Sequence, residues 1–252
     1  MADAAVLAFL LIPLGLLLGL LWGTHVASRR LGEADTTRQR VLVVTAVVST
    51  LWMTATWIAA DSGVLRLWYA TPPPFAILVV AVLGLTATFA FSTYGRRLAH
   101  GLPLWALVAV QGFRWPLELA MHGMYARGVM PEQMSYSGRN FDVVTGVTAL
   151  IVAPLVLAGR AGRRLVVAWN VLGLILVLNV VTVGILSTPR FRYFGEDRLN
   201  VWITYPPFVW LPAVMVLAAI SGHLIIFRAT SARRMSDMMT APARRHAQRD
   251  PS

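Results

Sequence analysis

The chain has 252 residues, of which 57% are hydrophobic and only 13% charged, against roughly 25% charged in an ordinary soluble domain. A soluble fold cannot hide that much apolar surface, whereas a bilayer covers it. The absence of cysteine excludes disulfides, thiolate metal sites and cysteine nucleophiles; the absence of lysine, which leaves all 22 basic residues as arginine, excludes a retinal Schiff base; and the net charge of +11 suggests nucleic acid only until the arginines are placed.

A spanning helix needs about 20 mainly apolar residues, and seven such runs follow one another at 4–27, 41–60, 75–92, 102–121, 141–158, 165–187 and 208–227. The first has no basic residue before it and is followed at once by Arg29 and Arg30, the pattern of an anchor with its N-terminus outside rather than of a cleaved signal peptide. It carries Gly15, Gly19 and Gly23 at four-residue spacing, which predicts a close helix–helix contact. In the second run Thr45, Ser49, Trp52 and Thr56 share one stripe, a further contact face at 3.6 residues per turn. Trp68 and Tyr69 before the third run, and Trp202 and Tyr205 before the seventh, are expected to form an outer aromatic belt.

If the seven runs alternate across a membrane, 15 arginines share one side, Arg29, Arg96, Arg163 and Arg228 among them, while six lie opposite. The positive-inside rule then places the C-terminus in the cytoplasm. The expected fold is an all-α, polytopic membrane bundle of seven transmembrane helices over residues 1–228, followed by a basic cytoplasmic tail, 229–252, resting on anionic lipid headgroups and not on nucleic acid.

The fourth run carries the chemistry. Gln111, Arg114, Glu118 and His122 fall within an arc of about 80° and rise about 16 Å along a helix. A lone ionised side chain at mid-membrane costs about 2.5–3.5 kcal/mol, so the stripe is expected to face protein or a water-filled cavity, with Arg114 paired to Glu118 across one turn. Such a pair is either an internal clasp or a ligand or proton site. Pro116, inside the stripe, frees the carbonyl of residue 112. The next loop adds Glu132, Gln133, Tyr136, Arg139 and Asn140, and Asp142 opens the fifth run; Asn140 is expected either to cap that helix, with Asp142 near its positive end, or to meet a ligand. Asn170 and Asn179, nine residues apart, lie on opposite faces of the sixth run, and Asn179 at mid-depth is the better candidate for a central pocket. His25 and His223 sit at matched depth on the first and last runs, where two histidines suit a b-type haem, although no spacing motif supports one. No HExxH or comparable metalloenzyme spacing occurs.

The segment ending Gly-Arg-Asn-Phe-Asp at 138–142, and Pro-Phe-Val-Trp-Leu-Pro at 207–212, resemble an uncharacterised family of bacterial seven-helix integral inner-membrane proteins over roughly residues 105–228. The resemblance implies a bacterial cytoplasmic-membrane location and brings no activity with it. The residues themselves leave three functions open: an outward-opening polar site for small-molecule or lipid binding in sensing or transport, a membrane enzyme acting on a lipid-like substrate through Glu118 or His122, and a structural or assembly subunit.

Overall fold

A computed structural model describes residues 4–231 of the chain, so the expected cytoplasmic tail falls, from residue 232 on, outside the described residues. These contain helices and turns but no β-strand. In chain order the helices are α1 (Ala4–Arg30), α2 (Asp35–Asp61), α3 (Pro74–Phe91), α4 (Thr93–Gly101), α5 (Leu104–Val110), α6 (Arg114–Tyr125), α7 (Val143–Leu157), α8 (Arg163–Leu186) and α9 (Leu211–Ser231). Among the described residues five of them, α1, α2, α3, α8 and α9, are long and apolar enough to cross a membrane.

The other two apolar runs fold differently. The fourth is a helix broken in the middle: α5 ends at Val110, a 3-10 turn spans Gln111–Phe113, and α6 resumes at Arg114. Pro116 explains the break, since it offers no N–H to the carbonyl of Gly112 and its ring disfavours a continuous α-turn there. The fifth run forms only 15 helical residues, a rise of about 22 Å against a hydrocarbon core of about 30 Å.

One element is absent from the expected set. Helix α4 is a short amphipathic helix with Arg96 and His100 exposed. Ser92 ends α3 and starts α4, accepting the Gly95 N–H at its hydroxyl at 3.1 Å. The reversal is tight enough that a Cβ on Gly95 would lie 2.3 Å from the Ala90 carbonyl oxygen. Arg228 of α9 closes the corner by donating from Nη1 to the carbonyls of Ala90 and Ser92, at 2.7 and 2.9 Å. On the other side of α4, Arg97 Nε reaches both carboxylate oxygens of Glu33 in the α1–α2 loop, at 2.8 and 3.1 Å. Partial burial acts to raise the Glu33 carboxyl, but the Arg97 hydrogen bonds outweigh it and hold the group below its ordinary value of 4.5. A carboxyl depressed by folding contributes stability above its unfolded value and loses it as the pH falls through the folded one. Thermal midpoints of the wild type and Glu33→Gln are therefore expected to differ at pH 6 to 7 and to converge once the pH falls below the folded value of the carboxyl.

Among the described residues the apolar core has two large centres and a small third one, Val177, Ala219 and Ile220. At the arginine-rich end, Ala27, Leu98, Leu107, Ala153 and Ile226 pack together. At the loop-rich end, Phe9, Trp68, Phe75, Met121 and Trp202 do. Trp68 and Trp202 are thus core residues, 8% and 6% exposed, and lack the exposed position expected of them, whereas Tyr69 and Tyr205 are open at 60% and 44%. Phe9 accounts for Trp202, because its ring meets Trp202 edge-on at 5.6 Å and Phe208 at 5.1 Å, an arrangement rings favour. The glycine stripe of α1 is likewise not a contact inside the bundle over most of its length: a Cβ on Gly15 or Gly19 would meet nothing within 4 Å, and Gly23 alone approaches a neighbour, Leu102. Helix α1 instead buries the face of Phe9, Pro13, Thr24 and Ala27. The α2 stripe does face inward, with Thr45 and Thr56 buried and Trp52 Nε1 donating to the Ala213 carbonyl at 2.9 Å. That carbonyl lies in the π-helical opening of α9, Leu211–Val216.

Candidate functional site

The site begins with the broken helix. Gln111 and Arg114 are fully buried and Glu118 is 1% exposed. Helix α7 starts beside them rather than at the loop-rich end of the bundle. Gly146 packs so tightly on the broken helix that a Cβ there would lie 2.3 Å from the Trp115 nitrogen and 2.9 Å from the Arg114 carbonyl carbon. With the α7 N-terminus at the level of Arg114, the preceding loop, 126–142, folds down over α6. Non-helical backbone at such depth persists only where protein satisfies its polar groups, and here it does. Gly138 and Asn140 donate their N–H groups to the Ser135 carbonyl, Asn179 Nδ2 donates to the Arg139 carbonyl at 2.7 Å, and Gln133 Nε2 donates to Ser187 Oγ and the Arg198 carbonyl.

This loop changes the partner expected for Arg114. Its Nη1 donates to Asp142 Oδ1 at 3.0 Å and to the Gly173 carbonyl of α8 at 3.4 Å; the ion pair is Arg114–Asp142, not Arg114–Glu118. Glu118 is held instead by Asn140, whose Nδ2 donates to Oε2 at 2.8 Å and to the Met134 carbonyl at 3.0 Å. Asn140 Oδ1 accepts the Asp142 N–H at 3.0 Å, which orients the entry to α7. The residue at the N-cap is Asp142, and its carboxylate makes no capping hydrogen bond because it faces the guanidinium. Carboxylates from two elements thus flank one arginine, whose Nε and Nη2 have no hydrogen-bond partner among the described residues. Beside them Arg114, Glu118, Asp142, Val177, Val180 and Met215 line a cavity of about 20 Å³, the size of about one water molecule.

The remaining candidates separate. His122 stands one turn above Glu118, half-buried, with Nδ1 3.0 Å from Ser135 Oγ and 3.2 Å from Ser137 Oγ and its ring stacked on Tyr136 at 4.4 Å. Glu132 and Arg139 stay at the loop surface, the first 4.0 Å from Arg198 and the second over the Phe194 ring. Asn179 ties the loop to α8, and it is Asn170, expected on the opposite face, that reaches the core: fully buried, its Nδ2 donates to the His223 carbonyl at 3.0 Å and its Oδ1 lies 2.7 Å from His223 Nδ1. The His223 ring packs on Gly173, where a Cβ would come within 2.5 Å of it. Gly173 thus separates His223 from Arg114 by one backbone unit. Asn170 engages Nδ1 of the fully buried His223, and Nε2 has no hydrogen-bond partner among the described residues. His25 is only partly buried on α1. Among the described residues no group of three or more metal-ligating side chains converges.

Sequence reasoning missed Asn170, Gly173 and His223 as members of this cluster. A histidine and an asparagine inside apolar runs were visible, but nothing in their spacing showed that α8 and α9 cross at that point. No family model, curated protein or solved structure matches the chain.

Proposed function

We propose that the chain is a seven-span protein of the bacterial cytoplasmic membrane, N-terminus outside and C-terminus in the cytoplasm, built around a buried ionisable site that exchanges a proton or a small ligand in sensing or transport. The span count rests on the five long helices together with the broken helix Leu104–Tyr125 and the short α7 completed by its inserted loop. The orientation rests on the arginine bias, and the basic tail would then lie against anionic headgroups.

The observation that carries the functional reading is the composition of the core cluster. One guanidinium, Arg114, is enclosed with two carboxylates, Glu118 and Asp142, beside a cavity the size of one water. Charge buried without compensation is expensive in such surroundings, so the cluster is suited to take up one further positive charge, and a proton is the smallest. Intramembrane ionisable groups that line one path mark proton and ligand routes. Here His122 stands at the mouth, Glu118 and Asp142 in the middle, and His223 on the arginine-rich side, beyond Gly173. Loop 126–142 is the cover that would have to lift for a larger ligand.

The test is infrared and flux measurement on the full chain in liposomes. The wild type is expected to show a carboxylic-acid carbonyl band that changes with pH, together with proton flux under an applied gradient; Glu118→Gln should remove both while shifting stability by less than about 1 kcal/mol. A folded wild type with neither signal rejects the reading. It would leave the cluster as a clasp, the alternative favoured by the close packing of Gly146 on the Arg114 backbone.

A further inference from the structure

Helix α1 carries an exposed stripe that changes character along its length. Leu11, Leu18, Trp22, His25 and Arg29 fall within an arc of about 60° by helix geometry, on the side away from Thr24 and Ala27, which are buried. Leu18 and Trp22 are 66% and 65% exposed, His25 is half-buried, and Arg29 is exposed. From Leu18 to Arg29 the stripe rises about 16 Å, close to half of a hydrocarbon core of about 30 Å. One face of one helix thus runs from an apolar surface of leaflet depth directly into a cationic end.

The charge at that end is uncompensated. Among the described residues the carboxylates beside it are Glu33 and Asp35, and both are taken. Asp35 pairs with Arg38 at 2.8 Å, and Glu33 accepts from Arg97 of α4 at 2.8 and 3.1 Å. Gly32, in the left-handed region at a φ of 68°, turns the chain as α1 ends, so that Glu33, four residues beyond Arg29, meets α4 instead. Arg29 and Arg30 are left exposed, without an ion pair among the described residues.

We propose that this face of α1 binds an anionic phospholipid, with Arg29 and Arg30 donating to its phosphodiester while an acyl chain lies along Trp22 and Leu18 toward the midplane. The continuity of the stripe selects a lipid over an acidic peptide or a nucleic acid, because only an amphiphile covers the apolar and the cationic parts together. Two guanidiniums without a carboxylate select a head of net negative charge over a zwitterionic one. Arg97 acts as a positioning residue from the far side of α1: by holding Glu33 it keeps a competing carboxylate away from Arg29. The inference rests on the bilayer placement proposed above, and is independent of the Arg114 cluster.

Native mass spectrometry of the full chain in mild detergent, titrated with phosphatidylglycerol and with phosphatidylcholine of the same acyl chains, reads the adducts directly. The wild type should retain phosphatidylglycerol about three- to tenfold more than phosphatidylcholine. Arg29→Gln with Arg30→Gln should remove most of that preference, and Arg244→Gln with Arg245→Gln in the tail should lower it less. Trp22→Ala should weaken retention of both lipids alike, because it removes apolar contact and no charge. Arg97→Gln should lower the preference by releasing Glu33, and adding Glu33→Gln should restore it, a rescue that simple loss of one positive charge would not give. Equal retention of the two lipids by the wild type, or an unchanged preference in the folded Arg29→Gln, Arg30→Gln protein, overturns the proposal. So does a polyglutamate peptide that displaces the phosphatidylglycerol adduct, which would assign the face to an acidic protein. Retention of neither lipid would instead reject the bilayer placement, and the inference with it.

Discussion

Asp142→Ala is expected to destabilise the protein by about 3–5 kcal/mol. Arg114 is fully buried, and with Asp142 removed its guanidinium keeps only the 3.4 Å hydrogen bond to the Gly173 carbonyl. Breaking one side of a buried ion pair costs more than the pair itself contributes, because the remaining guanidinium can neither lose its charge nor reach water, and Glu118, held by Asn140, makes no hydrogen bond to it. Arg114→Ala should cost a similar amount by stranding Asp142. Combining Arg114→Leu with Asp142→Leu removes both charges, and the double variant should lose less than the sum of the single ones, with an interaction energy of about 1–3 kcal/mol. Glu118→Gln should shift stability by less than about 1 kcal/mol, since a glutamine oxygen can accept the same Asn140 hydrogen bond. Thermal and denaturant unfolding in detergent measures all of these. An Asp142→Ala protein as stable as the wild type would mean that the ion pair does not form.

Gly146→Ala is the second large effect, and it reports on geometry rather than charge. The added methyl would sit 2.3 Å from the Trp115 nitrogen. The obstruction is backbone, which cannot swing aside as a side chain does, so α7 must move away from the broken helix. Overpacking of a tight core contact costs about 1–3 kcal/mol and more where backbone must shift; the expectation here is about 3 kcal/mol or greater. Gly146 lies four residues beyond Asp142, and the same displacement should lengthen the Arg114–Asp142 contact. Gly146→Ala is therefore expected to be partly epistatic with Asp142→Ala, the pair costing less than the sum of the two. Gly84→Ala is the control, because a Cβ there meets nothing within 4 Å, and alanine is favoured in a helix by about 1 kcal/mol over glycine.

Both results depend on loop 126–142, and that loop shows where sequence reasoning stops. Gln111, Arg114 and Glu118 share a helical face by spacing alone, and all three are buried. Spacing offers only local partners, however, and for Arg114 the nearest carboxylate along the helix is Glu118. The partner it takes lies 28 residues on, because α7 begins halfway along the bundle and the loop fills the remaining depth. The signal available was that the fifth apolar run is short and is preceded by a segment unusually rich in hydrogen-bonding groups, Ser135 to Asn140. Such a segment is expensive to bury unless its polar groups find partners; Ser135 and Asn140 supply them within the loop and Gln133 Nε2 reaches out to Ser187 and Arg198, while Gln133 Oε1 has none among the described residues. The choice between Asn170 and Asn179 was beyond sequence for a related reason: both sit on one helix, on opposite faces, and the rotation of α8 about its axis is set by Gly173, the point where α8 admits the His223 ring.

The apolar character of the chain, its all-helical class, the positions of its five long apolar helices and the burial of Gln111, Arg114 and Glu118 are written in the sequence, because each follows from a local quantity: run length, periodicity, and the cost of placing charge in hydrocarbon. Which carboxylate meets Arg114, which asparagine meets His223, and where the cavity beside Arg114 lies are decided only by the packing of α6, α7, α8 and α9. Those contacts join residues far apart in the chain, and close packing between helices depends on steric fit at single positions such as Gly146 and Gly173, which no local pattern encodes.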